Sequence, residues 1–271
     1  MDFKNYHHIN LLLREYFQKQ KGFVEVPTQS KLSILAACED PRTISQFEFS
    51  GINYPLPQTG QMVLEEVLLT NPEVNGVFCV TTSYRNEPNP IEGRHDLIFP
   101  MFEFEGKGDF SELKKTLKEL LEFVRFDSPI SVSYDECCSK YNTSVLEALH
   151  EEKIQKDYGN VVSLEKFPEI AQPFWNMKHV GKGDFNKIDV LLHGMETIGS
   201  AERSCDPEEM EHFFETVSNG DYKNLLFHKF TKKRVMEELD IYFSHKFFPR
   251  YGGGIGFTRL ERAIKLEGLL K

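Results

Sequence analysis

Arg85, Glu87, Arg94 and His95 stand close together in the chain, with Glu103 and Glu105 a short way beyond. Guanidinium and imidazole groups grip phosphate oxygens, and carboxylates hold the metal that accompanies them, so the set suits a nucleoside triphosphate. On a strand, positions 103 and 105 face the same side, which puts both carboxylates over one surface. A charged hairpin is also often no more than a solvated set of ion pairs. Phe99 and Phe102, interleaved with the charges, favour the site, because they could stack on a purine and a solvated hairpin has little need for them.

Two more clusters carry chemistry. The run Gly252, Gly253, Gly254, Ile255, Gly256, Phe257, Thr258, Arg259, Leu260 lets backbone approach a planar or phosphorylated ligand, and Arg259 at a helix start offers a fixed cationic fork. Alone, such a run is equally a tight turn before a helix. Asp189 and Glu196 bracket a short strand and turn, and their hard oxygens are the ligands Mg²⁺ prefers beside phosphates. Local alternatives are a turn cap for Asp189 and an ion pair between Glu196 and Arg203. The chain has no phosphate loop of the Gly-Lys-Ser/Thr type, no His-Glu-x-x-His and no Gly-x-Ser-x-Gly, and Arg259 stands where a dinucleotide fingerprint needs glycine.

Apolar periodicity supplies the elements that position these groups. Helices are expected over residues 4–21, 60–69, 110–126, 144–157, 207–218, 229–244 and 258–266, and strands over 23–26, 77–85, 98–105, 130–134, 188–192 and the glycine run. Residues 47–57 read as a hairpin turning near Gly51, and the charged stretch between 85 and 98 as a loop joining two strands. Hairpins outnumber βαβ crossovers, so the fold class is α+β, a mostly antiparallel sheet flanked by helices.

With 271 residues, 40% hydrophobic and 27% charged, the chain can bury a substantial core as one domain. Its formal charge of -10 opposes capture of polyanions, and the basic stretch at 228–234 reads as a solvated helix start. Five cysteines at 38, 79, 137, 138 and 205 lack framework spacing and imply free thiols in the cytoplasm. No signal peptide or membrane-length apolar run is present.

These residues resemble the catalytic core of class II aminoacyl-tRNA synthetases, in the aspartate, asparagine and lysine subgroup. Gly22, Phe23, Val24, Glu25, Val26, Pro27 is similar to the first motif, which in that family builds a homodimer interface. Arg85, Asn86, Glu87 through Arg94, His95 and Glu103 resembles the second, and Gly254 to Leu260 the third. The resemblance implies that Arg85 holds the α-phosphate of ATP, Arg94 and His95 the outer phosphates, that Phe99 stacks on adenine, and that Arg259 clamps from the other side. Glu87, Gly254 and Gly256 belong to the same ATP site, and Asp189 and Glu196 match the Mg²⁺ carboxylates. For the amino acid it implies Glu39 at the ammonium group, Gln58 and Gln61 in a Gln-Ser-x-Gln-like segment, Glu103, and Arg203 selecting an acidic or amide side chain.

Gly199 departs from the family's usual serine near the metal, and Asp40-Pro41 from the glycine and alanine after the ammonium-binding glutamate. The span from the first motif's helix to just past the third implies no anticodon-binding barrel, so tRNA is not the expected partner. Free-standing cores of this kind look like ammonia-dependent asparagine synthetases. Residues 95–105 and 252–256 parallel the bacterial type, while 173–178 and 196–203 look closer to the archaeal type related to aspartyl- and asparaginyl-tRNA synthetases. The implied activity is an AMP-forming ligase that uses ATP, Mg²⁺, aspartate and ammonia, as a homodimer. The alternatives are transfer of an activated amino acid to a tRNA, protein or carrier, and a non-catalytic paralogue that binds ligand.

Overall fold

Polar residues alternate with Phe78 and Val80 on one strand and with Phe102 and Phe104 on its neighbour, so the two strands present one apolar and one polar face. In the computed structural model of the chain, which describes residues 1–37 and 41–270, these become β4 (Gly76–Tyr84) and β5 (Ile98–Lys107), paired antiparallel with Phe78 opposite Phe104 and Cys79 opposite Glu103. They lie in an eight-stranded sheet that begins with β1 (Val24–Glu25), β4 and β5. It continues through β10 (Arg250–Gly256), β9 (Met195–Glu202), β8 (Asp184–Leu192), β7 (Val161–Pro168) and β6 (Ile130–Ser133). The β1–β4 and β6–β7 pairs are parallel and the rest antiparallel. A separate hairpin, β2 (Gln46–Phe49) with β3 (Ile52–Pro55), turns at Ser50 and Gly51.

The apolar face packs on α1 (Phe3–Arg14), which runs on through a π-helical stretch at Glu15–Gln20, and on α3 (Phe110–Phe123) and α9 (Phe257–Leu266). Phe17, Phe78, Phe102 and Phe104 form its aromatic centre. Phe102 is therefore core, stacked on Phe78 at 5.1 Å, and is corrected as a purine platform. Three residues from Phe99, it faces the opposite side of a regular strand.

A second core gathers around Trp175 from α6 (Pro207–Thr216), α7 (Asp221–Phe230) and α8 (Lys232–Phe243), with Met62 of α2 (Gln61–Thr70). The helix expected over 229–244 breaks at Thr231, whose φ of 70° and ψ of 141° are non-helical, so the basic stretch straddles two helices. Also outside the expected elements are α7, β7, β9 and α4 (Tyr134–Tyr141). Val161 to Glu165 are buried without interruption, so this strand lacks clean alternation, and α4 carries few apolar residues. With α5 (Ala148–Tyr158), α4 covers β6 and β7 through Tyr134, Cys137 and Ile154.

The glycines of β10 are a packing requirement. A Cβ at Gly252 would fall onto the Glu105 carboxylate and lie 2.5 Å from the Phe104 carbonyl oxygen; one at Gly253 would lie 2.7 Å from the Gly199 carbonyl oxygen. Gly252→Ala is expected to cost about 1–3 kcal/mol through overpacking. Urea denaturation of the two proteins checks this, and equal midpoints would show that the sheet has room there.

Candidate active site

The polar face of the sheet floors a cavity of about 680 Å³, over β5, β10, β9 and β8. Arg85, Glu87, Arg94, His95, Phe99, Gly254, Gly256, Arg259, Asp189, Glu196, Gln61, Glu103 and Arg203 all line it. Stretches far apart in the chain thus meet around one chamber, as the sequence reading expected.

At one end the strands set the cations. Arg85 follows β4, where its main-chain N–H donates to Leu97 and closes the hairpin base. Its guanidinium lies 5.3 Å from the centre of the half-buried Phe99 ring, and its Nε donates to Ser83. Arg94 reaches in from the 86–97 loop and donates to Glu151 at 2.5 Å. His95 Nδ1 is buried without a hydrogen-bond partner. Arg259, in the first turn of α9, donates through Nη1 to the Glu196 carbonyl oxygen at 2.8 Å and pairs with Glu196 Oε2 at 3.4 Å.

Asp189 and Glu196 sit on β8 and β9, joined through His193 and Gly194, both at positive φ. A side chain at Gly199 would meet Glu196 Oε1 at 3.1 Å and Asp189 Oδ1 at 3.6 Å, so both carboxylates turn toward the space above this glycine. Asp189 Oδ1 is buried and unpartnered, while Oδ2 accepts from Lys187. No group of three or more side chains suited to a metal occurs among the described residues. Two hard carboxylates, one with an open oxygen, fit Mg²⁺ that completes its shell with phosphate and water.

Burial favours protonation of Glu196, but Lys187, Arg259, Arg85 and Arg94 hold its carboxyl below the usual range. Asp189 goes the other way: burial pushes it up to about 7, against Lys187 and helped by Glu196.

The other end is built on a buried charge network. Arg203 donates to Glu105 Oε1 through Nε (2.9 Å) and Nη2 (2.6 Å) and to Gln61 Oε1 (2.6 Å), while Gln61 donates to the Gly253 carbonyl oxygen at 2.8 Å. Behind it Glu65 accepts from Arg250 at 2.7 and 3.0 Å, Tyr242 at 2.7 Å and Asn176 at 2.6 Å. Glu65 and Arg250 are fully buried. Arg203 lines the cavity.

Two amino-acid residues are placed differently from expectation. Gln58 is fully buried, donates to Thr43 Oγ1 at 2.7 Å and does not line the cavity, because its segment turns inward before α2 begins. Glu103 borders the chamber, but its carboxylate accepts from Thr59, Thr81 and the Gly60 N–H at the start of α2, so it anchors that helix. Glu39 lies outside the described residues.

Lys187, Glu151, Glu65 and Arg250 escaped the sequence reading. Lys187 had one signal, its alternation with Asp189 on a strand, and Glu65 another, a carboxylate within an apolar helix.

Residues 2–265 match the family described as tRNA synthetases class II (D, K and N). The chain belongs to that family. Its fold is similar to asparaginyl-tRNA synthetase from Pyrococcus horikoshii complexed with asparaginyl-adenylate, with TM-score 0.76, 20% identity, and 97% of this chain and 64% of that one covered. Asparaginyl-tRNA synthetase from Entamoeba histolytica gives TM-score 0.73 at 18% identity over 98% of this chain and 64% of that one. A putative aspartyl-tRNA synthetase from Leishmania major Friedlin gives 0.74 at 16%, over 96% and 61%. This class II chain thus spans just under two thirds of those synthetases' length. No curated protein matches the sequence significantly. No helix of the described residues is long and apolar enough to cross a membrane, and the four described cysteines are free.

The two buried glutamates of the network differ in protonation. Burial would raise Glu65, but Arg250, Arg203 and Tyr242 hold it down; burial pushes Glu105 up to about 8, only partly opposed by Arg203, and its Oε2 has no partner. Unfolded, Glu105 ionises near 4.5, so between 4.5 and 8 the folded chain holds the extra proton and loses stability as pH rises, fully by about pH 8. Glu105→Gln should remove that slope, at most about 1.4 kcal/mol per pH unit, whereas Glu65→Gln, leaving Arg250 poorly paired, should cost about 3–5 kcal/mol throughout. Urea unfolding of the three proteins at pH 5, 6.5 and 8 checks both; parallel pH profiles for wild type and Glu105→Gln would contradict the assignment.

Proposed function

We propose that this chain is an AMP-forming ligase that activates the side-chain carboxylate of aspartate with ATP and converts the adenylate to an amide with ammonia. The observation that carries the reading is the single chamber in which Arg85 and Arg259, the Asp189–Glu196 pair and Arg203 all present their side chains. Membership of a family of ATP-using ligases supports nucleotide activation. The likeness of residues 173–178 and 196–203 to the archaeal asparagine synthetases supports the amide product, and the charge of -10 disfavours a polyanionic acceptor. A homodimer built on the first motif, in the cytoplasm, belongs to the same proposal.

In the first step a carboxylate oxygen attacks the α-phosphorus and pyrophosphate leaves. Arg85 stabilises the charge on the α-phosphate, Arg94, His95 and Arg259 hold the departing phosphates, and Phe99 stacks on the adenine. Asp189 and Glu196 would hold Mg²⁺, which supplies charge neutralisation at the phosphate oxygens. In the second step ammonia attacks the acyl carbon, a proton is lost and AMP leaves. Arg203 grips the α-carboxylate of aspartate and turns the side-chain carboxylate toward the phosphates.

AMP, pyrophosphate and asparagine should form together with aspartate, ATP and ammonium, and Arg85→Gln should lower the rate by about 10²–10³. AMP release that ignores ammonium, with label passing to tRNA, would replace the amide reading by aminoacyl transfer. No AMP release under any condition would leave a ligand-binding paralogue.

A further inference from the structure

Glu151 of α5 stands behind two residues of the chamber without lining it. Its Oε1 accepts from Arg94 Nη2 at 2.5 Å and its Oε2 from the main-chain N–H of Glu196 at 2.8 Å. The two paired side chains, Arg94 and Glu151, are 13% and 15% exposed. One carboxylate therefore ties an arginine that lines the chamber to the strand that carries Glu196.

The loop needs such a tie. Residues 86–97 form neither helix nor strand, and Ile91, Glu92, Gly93, Asp96 and Leu97 around the arginine are exposed. A long side chain on this loop would otherwise lose its freedom only when phosphate binds, and that ordering would be subtracted from affinity. The anchor itself is firm. A capping box between Glu147 and His150 fixes the start of α5. A Cβ at Gly194 would lie 2.7 Å from Gln155 Oε1 and 3.3 Å from Glu152 Cα, so the β8–β9 turn and α5 meet closely.

We propose that Glu151 is a positioning residue that holds Arg94 in place for the outer phosphates of ATP and locks the 86–97 loop to β9. The proposal rests on the nucleotide reading of the chamber and deepens it. The bond to Glu151 engages one nitrogen of Arg94, and the guanidinium fork keeps other donors for phosphate. The opposite role, a carboxylate that competes with phosphate for Arg94, predicts the opposite sign.

The test is calorimetric titration of Mg²⁺·ATP, and separately of aspartate, into wild type, Glu151→Gln and Glu151→Asp, with melting temperatures beside them. Glu151→Gln keeps the shape and an oxygen for the Glu196 N–H but loses the ion pair. It should bind ATP about tenfold more weakly and aspartate within about twofold of wild type, with KM for ATP raised and kcat nearly unchanged. Glu151→Asp, which keeps the charge but is one methylene shorter, should fall between and carries the comparison if the glutamine variant does not fold. ATP binding that is unchanged or tighter in the folded variants overturns the proposal. Wild type that binds no ATP overturns the nucleotide reading itself, so the two failures are distinct.

Discussion

A run of three glycines in a strand at the middle of the sheet is the constraint on which the rest depends. Between β5 and β9, β10 offers Gly252, Gly253 and Gly254 in a row, and side chains there would strike Glu105, the backbone of Gly199 and Met101. Because the glycine run is bare, Gln61 reaches the Gly253 carbonyl, Arg203 reaches Gln61 and Glu105, and Glu65 links the whole to Arg250. The buried charges are affordable only as a connected set, since each member satisfies another's desolvated polar atoms.

The opposite end of the cavity gathers cations around a carboxylate pair. Arg85, Arg94, Arg259 and Lys187 surround Glu196 and keep it ionised, while Asp189 beside it is pushed toward neutrality by burial. The chamber thus has two ends of different character, one where arginines and Lys187 surround a carboxylate pair and one where Glu105 and Gln61 engage Arg203 at the wall.

Much of this was legible in the sequence where chemistry follows local rules. Strand alternation put Glu103 and Glu105 on one face, and the arginines beside glycine or between strands did meet in one site. The same alternation, applied to Phe99 and Phe102, would have assigned them to opposite faces. Gln58 was misplaced because its direction is set by the inward turn before α2, which no periodicity records. Glu151 and Arg250 pair with residues remote in the chain, Arg94 and Glu65, and only the assembled fold brings them together. Membership of the class II family covers the fold, and the chemistry of this chain rests on these individual contacts.

The central claim is that ATP lies in this chamber with its phosphates between the Arg85 and Arg259 guanidiniums. A crystal structure with Mg²⁺, a non-hydrolysable ATP analogue and aspartate tests it most directly. The account predicts the α-phosphate on Arg85, the outer phosphates on Arg94 and Arg259, metal between Asp189 and Glu196, and the amino acid against Arg203. Nucleotide bound elsewhere, or phosphates contacting neither Arg85 nor Arg259, would contradict it.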